Sequence, residues 1–505
     1  MRAQLALLAL LLPLASAFRL PTVGDAVDFA SLLVDDRGAA DTVLAPASDI
    51  TLASVTDEYH VLVSAAHPRH KVRVKSTTGW CDPSARSYSG YLDVGGGKEL
   101  YFAYFESRRA PSKDPVMMWI NGGPGSSSAM GLYGELGPCR INPGPKTVND
   151  TTPNPHSWNN EANIFFLDQP IDVGFSHAHN GQVVGNVHDA AKDVVAFIQI
   201  FFDTFKELEG RELHLSGESY GGRYLPVFAS AVYDANAALV DAGKTPINLQ
   251  SVLIGNGLPD LYSMLESFRL MGCQQQEGIN GTILNIDQCI ALRANTAKCL
   301  EITTKHCLDR FEPVDCAIGF DYCMIEVFSA SRWAHVNPYD ARLHCFPGEP
   351  GCYSVFDDIE AYLNLPDVQH KLGIPKGYKY EMTAIDVGER FRGALDWTGK
   401  TWEYVAELLE RGVRVLNYAG MVDWVCNHVG QEIWIDKFDW TGKAAFNAEK
   451  LADWSVDGKK AGYVKSHGGL TFLKILDAGH MVPMDQPANA AAFLKQWLDN
   501  GVVGK

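Results

Sequence analysis

The chain has 505 residues, of which 46% are apolar and 20% charged. It can therefore bury a large core, in one enlarged α/β domain or in two or three domains. Its formal net charge of −17 comes without a long basic run, which argues against nucleic acid or an anionic membrane surface as a partner. No segment after the N-terminal region is long and apolar enough to cross a bilayer.

The N-terminus has the pattern of a secretory signal peptide. Met1-Arg2 gives a positive start, an apolar run extends from Leu5 to Leu14, and Ala15-Ser16-Ala17 is a small-residue cleavage motif. The alternative is a membrane anchor, but the run falls short of the ~20 residues that a bilayer requires. We expect residues 1–17 to be removed and the mature protein to be soluble, in the vacuole or lysosome or outside the cell.

Residues 18 to about 78 differ in composition from the rest of the chain. They contain no cysteine and few aromatic residues, and they include the basic cluster His67–Lys75. The segment is either a cleavable pro-segment or a loosely structured N-terminal arm, and we favour the pro-segment.

From Trp80 onward, apolar runs typical of buried strands alternate with amphipathic helical stretches. The runs are Val116–Ile120, Ile164–Leu167, Val252–Ile254 and Val413–Leu416, and the helical stretches include Val187–Phe205 and Thr401–Arg411. This alternation predicts an α/β fold over residues 79–505, with a mainly parallel sheet and helices on both faces. Functional sites in such sheets form at the carboxyl ends of the strands.

The cysteines favour a disulfide framework in an exported protein. All eleven follow the signal peptide, and eight lie in one window, Cys273, Cys289, Cys299, Cys307, Cys316, Cys323, Cys345 and Cys352. Zinc is the competing explanation, but the window has no C-x-x-C pair and no histidines at ligand spacing. We interpret residues 265–355 as an insertion that caps the sheet. The sequons at Asn149 and Asn280 permit glycosylation.

A candidate nucleophile lies in Gly217-Glu218-Ser219-Tyr220-Gly221, which follows the apolar run Leu213–Leu215 and precedes a helix-forming stretch. Strand, serine and helix in this order are what a nucleophile elbow requires, because the glycines allow the sharp turn that exposes the serine hydroxyl. An ordinary Gly/Ser turn is the alternative.

An activated serine needs a histidine base and an acid, which follow the serine in the order acid, then histidine, in a doubly wound hydrolase. Asp423 and His480 each lie on a loop after a predicted strand and satisfy this order. His177, His179, His467 and Asp477 are alternatives, but they fit the order or the loop position less well. The loop Asn121–Gly125 follows another strand, where a hydrolase places one oxyanion donor, and the amide of Tyr220 is expected to be the other.

Four motifs in order resemble those of the serine carboxypeptidase family, and the match extends from Tyr88 to the C-terminus. They are Asn121–Ser127, Gly217–Gly222, Ile254–Gly257 and Gly479–Pro483. The resemblance implies an α/β-hydrolase fold with a disulfide-rich, largely helical cap insertion. It also implies an inhibitory pro-segment and an enzyme that removes C-terminal residues from peptides and proteins, without a cofactor or a metal.

The resemblance assigns roles to individual residues. It implies a triad of Ser219, Asp423 and His480, oxyanion donors at Gly123 and Tyr220, and a binding site for the substrate's terminal carboxylate at Asn121, Gly122, Glu135 and Glu218. It further implies nested disulfides Cys299–Cys323 and Cys307–Cys316, and local ones Cys273–Cys289 and Cys345–Cys352.

The sequence also departs from the family pattern. Many relatives have a disulfide-bonded cysteine where Ser126 stands, and its partner near Met382 is missing here too. Cys81–Cys139 then becomes a plausible pair, which leaves Cys426 as a free thiol. Met421 stands where relatives often have aspartate, which puts the hydrogen bonding around the Asp423 loop in doubt.

The function expected from the sequence is that of an exopeptidase that works through an acyl-enzyme and is favoured at acidic pH. An acyltransferase or esterase on the same scaffold is the first alternative, although the presence of both Glu135 and Glu218 favours peptide C-termini. A non-catalytic secreted binding protein is the second, but such a protein would be expected to have lost a triad or oxyanion residue. The sequence leaves the oligomeric state open.

Overall fold

The structure is a computed structural model, and it describes residues 51–64, 67–179, 181–345 and 353–504. These residues belong to one compact unit that spans Gly38–Lys505. The predicted signal peptide, residues 1–17, lies outside the described residues. Within the described ranges, no helix has both the length and the apolar character needed to cross a membrane.

Strands and helices alternate along most of the described chain. The strands are β1 (His60–Leu62), β2 (Val72–Ser76), β3 (Ser87–Gly95), β4 (Lys98–Phe105), β5 (Val116–Ile120), β6 (Cys139–Ile141), β7 (Thr151–Pro153), β8 (Asn163–Leu167), β9 (His177–Ala178), β10 (Glu212–Ser219), β11 (Asn248–Gly257), β12 (Val336–Asn337), β13 (Asp340–His344), β14 (Arg414–Gly420), β15 (Ala452–Val456), β16 (Lys459–His467) and β17 (Leu470–Ile475). The helices are α1 (Val187–Thr204), α2 (Gly221–Asp241), α3 (Leu261–Cys273), α4 (Ile286–Thr303), α5 (Pro313–Glu326), α6 (Ser354–Leu363), α7 (Pro366–Leu372), α8 (Ile385–Gly393), α9 (Trp402–Glu410), α10 (His428–Lys437), α11 (Lys443–Ala448), α12 (Val482–Asp485) and α13 (Pro487–Asn500).

Most strands belong to one 13-stranded sheet in the order β1-β2-β3-β4-β8-β5-β10-β11-β14-β17-β16-β15, with β9 paired to β4. The centre of the sheet, from β8 to β17, is parallel. Both margins are antiparallel. The apolar runs that predict buried strands all fall in the parallel centre. Strand β4 in one margin also has a continuous buried apolar run, Leu100–Phe105, which is not among the predicted runs.

The central strands form where the sequence can bury both faces of the sheet. Every residue of β5 and of β8 is buried. On one face, the ring centroids of Phe165 and of Phe201 on α1 lie 4.6 Å apart. Elsewhere in the core, the ring centroids of Trp119 and Trp158 lie 5.4 Å apart. Helix α1 begins at Val187, where the Asn186 side chain accepts a hydrogen bond from the Asp189 amide as an N-cap. Layers packed on both faces make the parallel centre a rigid support for the loops at its carboxyl edge.

The described part of the predicted pro-segment forms the outermost strands of one margin. Strand β2 pairs with β3, and β1 pairs with β2. The Tyr59 hydroxyl donates to the carbonyl of Gly373, and the His67 imidazole lies 2.7 Å from the Asp203 carboxylate. Residues 51–64 and 67–78 are therefore hydrogen-bonded to the sheet and its neighbours, at the end of the sheet that is remote from β10.

The predicted cap is an insertion between β11 and β14 that contains the helices α3, α4 and α5 and the hairpin β12–β13. The hairpin turn forms backbone hydrogen bonds with two loops of the sheet. The Trp424 amide donates to the carbonyl of Pro338 at 3.1 Å, and the His480 amide donates to the carbonyl of Tyr339 at 2.7 Å. The insertion thus helps to fix the loops that follow β14 and β17.

Four disulfides join described residues and confirm the predicted pairs, Cys81–Cys139, Cys273–Cys289, Cys299–Cys323 and Cys307–Cys316. Cys345 is disulfide-bonded, and Cys352, its predicted partner, lies outside the described residues. Among the described cysteines, Cys426 is buried and free. Asn149 and Asn280 are both exposed, as glycosylation requires, and their modification stays a prediction.

Candidate active site

Ser219 lies at the carboxyl end of the central strand β10, immediately before helix α2. Its backbone has a φ of +61°, a left-handed conformation that is strained for a residue other than glycine. The turn is held by close packing. A Cβ on Gly217 would lie 2.2 Å from the Ile120 carbonyl oxygen, and one on Gly222 would lie 2.4 Å from the Leu258 amide nitrogen. Glycine is therefore required on both sides of the serine, which is the geometry of a nucleophile elbow.

Asp423 and His480 meet beside this turn, on the loops that follow β14 and β17. The Nδ1 atom of His480 lies 2.8 Å from Oδ2 of Asp423, and both side chains are buried. Donation of Nδ1–H to the carboxylate leaves the lone pair of Nε2 available as a proton acceptor. The pair thus has the tautomer that a general base requires.

The Asp423 carboxylate is held by several further hydrogen bonds. Asn256 Nδ2 donates to Oδ2 at 2.8 Å, and the amides of Val425 and Cys426 donate to the two oxygens at 2.9 and 3.1 Å. These donors satisfy both oxygens of the Asp423 carboxylate, and the Met421 side chain is not one of them. The methionine at position 421 therefore leaves the hydrogen bonding of Asp423 intact. Sequence reasoning assigned no role to Asn256, although it lies in one of the four family-like motifs.

The loop Asn121–Ser128 passes directly over the nucleophile. A Cβ on Gly122 would lie 2.7 Å from the Cβ of Ser219 and 2.4 Å from the amide nitrogen of Tyr220. Gly123 has a φ of +109°, which favours glycine. Gly123 and Tyr220, the two predicted oxyanion donors, both line the cavity above Ser219.

Asp168 stabilises the loop Asn121–Ser128 by hydrogen bonds. The sequence does not predict a role for this residue. Its Oδ1 accepts hydrogen bonds from the Ser127 hydroxyl at 2.6 Å and from the Ser128 amide at 3.0 Å. Its Oδ2 accepts from the Phe175 amide at 2.9 Å. Burial raises the pKa of Asp168 to about 6. The signal available in the sequence was only that the residue follows directly after the apolar run of β8.

Two buried carboxyl groups, Glu135 and Glu218, share one amide donor. Asn121 Nδ2 donates to Oε1 of Glu218 at 2.9 Å and to Oε1 of Glu135 at 3.4 Å. The orientation of the amide is fixed because its oxygen accepts from Trp119 Nε1 at 2.8 Å. Oε2 of Glu135 is buried without a hydrogen-bond partner among the described residues.

The environment of Glu135 and Glu218 favours the protonated form of the pair. Burial raises the pKa of Glu218 well above its ordinary value, and the neighbouring charge of Glu135 raises it further. Burial also raises the pKa of Glu135. Arg140 does not neutralise the pair by a direct ion pair, because its guanidinium donates to the backbone carbonyls of Gly134 and Glu135 and not to a carboxylate. Two adjacent carboxyl groups of this kind share a proton over a range in which isolated glutamates are ionised.

A cavity of about 850 Å³ lies above Ser219, between the sheet and the cap. Its sheet side is formed by the residues described above, including Asn121, Glu218, Ser219 and His480. Its cap side includes Phe328, Tyr339 and Trp397. Cys426 also lines the cavity, and burial raises the pKa of its thiol well above the ordinary value.

The other polar residues that the sequence suggested lie elsewhere. His177 and His179 are grouped with Glu99, and His467 lies 3.9 Å from Glu449. Asp477 is 68% exposed and 3.6 Å from Arg342. Two residues that sequence reasoning missed support the His480 loop. The Tyr339 carbonyl accepts from the His480 amide, and the Asp485 carboxylate accepts from the Gly479 amide at 2.7 Å.

The fold and this site define a class of protein, the serine hydrolases of the α/β-hydrolase fold. The comparisons with known proteins narrow the class further. Residues 79–500 match the serine carboxypeptidase family, and the chain belongs to that family. It is a serine-type carboxypeptidase, a hydrolase that acts on peptides.

The chain is similar to several characterised proteins. It is 38% identical to carboxypeptidase Y of Candida albicans over 443 residues, which cover 87% of this chain and 78% of that protein. It is also 38% identical to carboxypeptidase Y of Saccharomyces cerevisiae over 425 residues, or 83% and 77% of the two chains. The crystal structure of Kex1Δp, a prohormone-processing carboxypeptidase from S. cerevisiae, superposes with a TM-score of 0.70 at 25% identity and covers 83% of this chain and 92% of that one.

Proposed function

We propose that the protein is a secretory-pathway serine carboxypeptidase that hydrolyses the last peptide bond through an acyl-enzyme and works best in acid. The observation that carries this proposal is the buried pair of Glu135 and Glu218 with Asn121, of which Glu218 and Asn121 line the same cavity as Ser219. A terminal carboxylate placed there brings the adjacent peptide carbonyl to the nucleophile. The same arrangement has no evident use in an esterase for uncharged substrates.

The chemical steps follow from the hydrogen bonds around the triad. Ser219 Oγ attacks the carbonyl carbon while His480 Nε2 accepts the hydroxyl proton. The negative oxygen of the tetrahedral intermediate accepts from the amides of Gly123 and Tyr220. His480 then returns the proton to the leaving amine, so the C-terminal residue departs and the serine ester remains. Water, deprotonated by His480, hydrolyses that ester and restores the hydroxyl.

Among the described residues, no lysine or arginine side chain donates to the side chain of Asn121, Glu135 or Glu218, although Arg332 lines the cavity above Ser219. We infer that the Asn121 amide, the Gly122 backbone and a protonated glutamate of the pair donate to the substrate's terminal carboxylate. A protonated carboxyl group is a donor, whereas an ionised one repels the substrate. Peptide and protein C-termini are thus the proposed substrates, and acid favours their binding because the pKa values of both glutamates are raised by burial.

The route of the protein through the cell is also a proposal. Residues 1–17 act as a signal peptide and residues 18–78 as a pro-segment, and the mature enzyme resides in the vacuole or lysosome or outside the cell. The disulfides and the exposed sequon asparagines Asn149 and Asn280 support this compartment.

Ser219→Ala should reduce kcat by about 10⁶, because the nucleophile is lost while the fold is retained. C-terminal ladders read by mass spectrometry from a peptide mixture would measure the loss. Ser112→Ala, at an exposed position outside the cavity, should keep full activity. Near-normal ladders from the Ser219 variant would overturn the assignment, and ester hydrolysis without any ladder from the native enzyme would point to an esterase.

The KM for free-acid peptides should rise between roughly pH 5 and 8, because the raised pKa values hold a proton on the pair above the ordinary glutamate value of about 4.3. Matched C-terminal amides should show a much flatter KM. Glu218→Gln, a permanent donor, should flatten the profile for acids, whereas Asp357→Asn, at an exposed carboxylate on the cavity rim, should retain it. Equal pH dependence for acids and amides would mean that the glutamates do not bind the C-terminus.

The chain from Phe18 onward should be folded but poorly active, and limited proteolysis near residues 75–80 should raise its activity. Because β2 pairs with β3, the cut segment should dissociate slowly, so size-exclusion chromatography after cleavage should accompany the assay. Full activity before cleavage would make residues 18–78 an N-terminal arm.

A further inference from the structure

Three metal-ligating side chains converge outside the catalytic cavity. Glu99 lies near the start of β4, and His177 lies directly opposite it on the paired strand β9. His179 follows two residues after His177. Directly opposed residues have side chains on the same face, so Glu99 and His177 share one face of the ladder. His179 follows the strand, and its amide donates to the Gly97 carbonyl at 2.7 Å, which continues the pairing.

The spacing of their ligand atoms matches that around a small ion. Glu99 Oε2 lies 3.3 Å from Nε2 of His177 and 3.6 Å from Nε2 of His179. One ligand atom from each of the three residues lies within 4.8 Å of the others. Ligands about 2.1 Å from a tetrahedral zinc ion are about 3.4 Å apart, so the two measured distances suit such a centre.

The backbone selects the tautomer of His177 that a metal needs. Its Nδ1 lies 3.3 Å from the carbonyl oxygen of Phe175. An Nδ1–H that donates there leaves the Nε2 lone pair directed toward Glu99. Metal-ligating histidines commonly donate their second nitrogen to a carbonyl or a carboxylate in this way.

The cluster of Glu99, His177 and His179 is partly buried and partly accessible from solvent. The side chains of Glu99 and His177 are 15% and 22% exposed, whereas that of His179 is 60% exposed. Glu99 and His177 are therefore held by packing, whereas His179 is accessible to an ion from solvent. The rings of His177 and His179 are nearly perpendicular, with centroids 5.0 Å apart.

We propose that Glu99, His177 and His179 bind a divalent transition metal of the zinc class. Two imidazoles and one carboxylate suit zinc and its neighbours better than calcium or magnesium, which prefer oxygen ligands. Three protein ligands leave a fourth position for water. Strand β4 is three strands from β10, or roughly 14 Å, and none of the three residues lines the catalytic cavity. The metal is thus separate from the peptidase chemistry.

Arg73 on β2 competes with the metal. Its guanidinium donates to the same Oε2 atom of Glu99 that faces the two histidines, and it also lies over the ring of Tyr91 at 4.9 Å. A cation on this carboxylate weakens the attraction for a second one. Removal of the guanidinium should therefore increase the affinity of the site for metal, whereas removal of a histidine should decrease it.

The proposal can be tested by calorimetric titration of the chelator-treated full chain with Zn²⁺. The native chain should bind one ion, and His179→Ala should weaken binding by more than about tenfold. Arg73→Met, which keeps the side-chain stem over Tyr91, should strengthen it severalfold. His306→Ala should leave binding unchanged, since it alters the other histidine–carboxylate cluster, His306, Glu312 and Asp315. Co²⁺ in place of Zn²⁺ should give the intense visible absorption of tetrahedral coordination.

Because His179 is exposed, its substitution is expected to leave the fold intact, and Glu99→Gln provides a second ligand variant if it does not. Undiminished binding in both ligand variants would overturn the proposal. So would the absence of binding in both the native chain and the Arg73→Met variant, or a loss of binding caused by His306→Ala instead.

Discussion

The backbone turn at Ser219 is the constraint on which the rest of the site depends. A residue with a side chain is held at a φ of +61°, which costs on the order of 1–3 kcal/mol. The surrounding packing supplies that energy, because the turn is confined by the oxyanion loop at Gly122, by Ile120 and by the residues that follow β11. A side chain at Gly122, Gly217 or Gly222 would force backbone atoms apart. The Ser219 hydroxyl and the Tyr220 amide would then both be displaced.

The buried carboxyl groups of the site differ in the hydrogen-bond donors around them. Asp423 accepts from Asn256, two backbone amides and His480. Burial raises the pKa values of Glu135 and Glu218, and the one amide donor that they share, Asn121, opposes this rise only in part. The site can therefore orient His480 with one well-hydrogen-bonded carboxyl group and offer a protonated carboxyl group nearby to an anionic substrate.

The sequence predicts the parts of the structure that have local causes. The apolar runs define the parallel centre of the sheet, and the order of strand, serine and helix locates Ser219 because the turn itself requires glycines. The antiparallel margins are not predicted, because strand direction depends on pairing between segments that are distant in sequence. The buried apolar run Leu100–Phe105 of β4 indicates a strand but not its direction. Asn256, Asp168 and Tyr339 were missed for a related reason. Each acts through contacts with residues far away in sequence, and no local pattern marks such a contact.

The central claim is that Ser219 is the nucleophile and that His480 activates it. The most direct measurement is labelling of the processed enzyme with an organophosphate, followed by peptide mapping. The account predicts one label per chain, on the peptide that contains Ser219, and much slower labelling of His480→Ala because the base is absent. A label on any peptide without Ser219, or an equal labelling rate in the His480 variant, would contradict it.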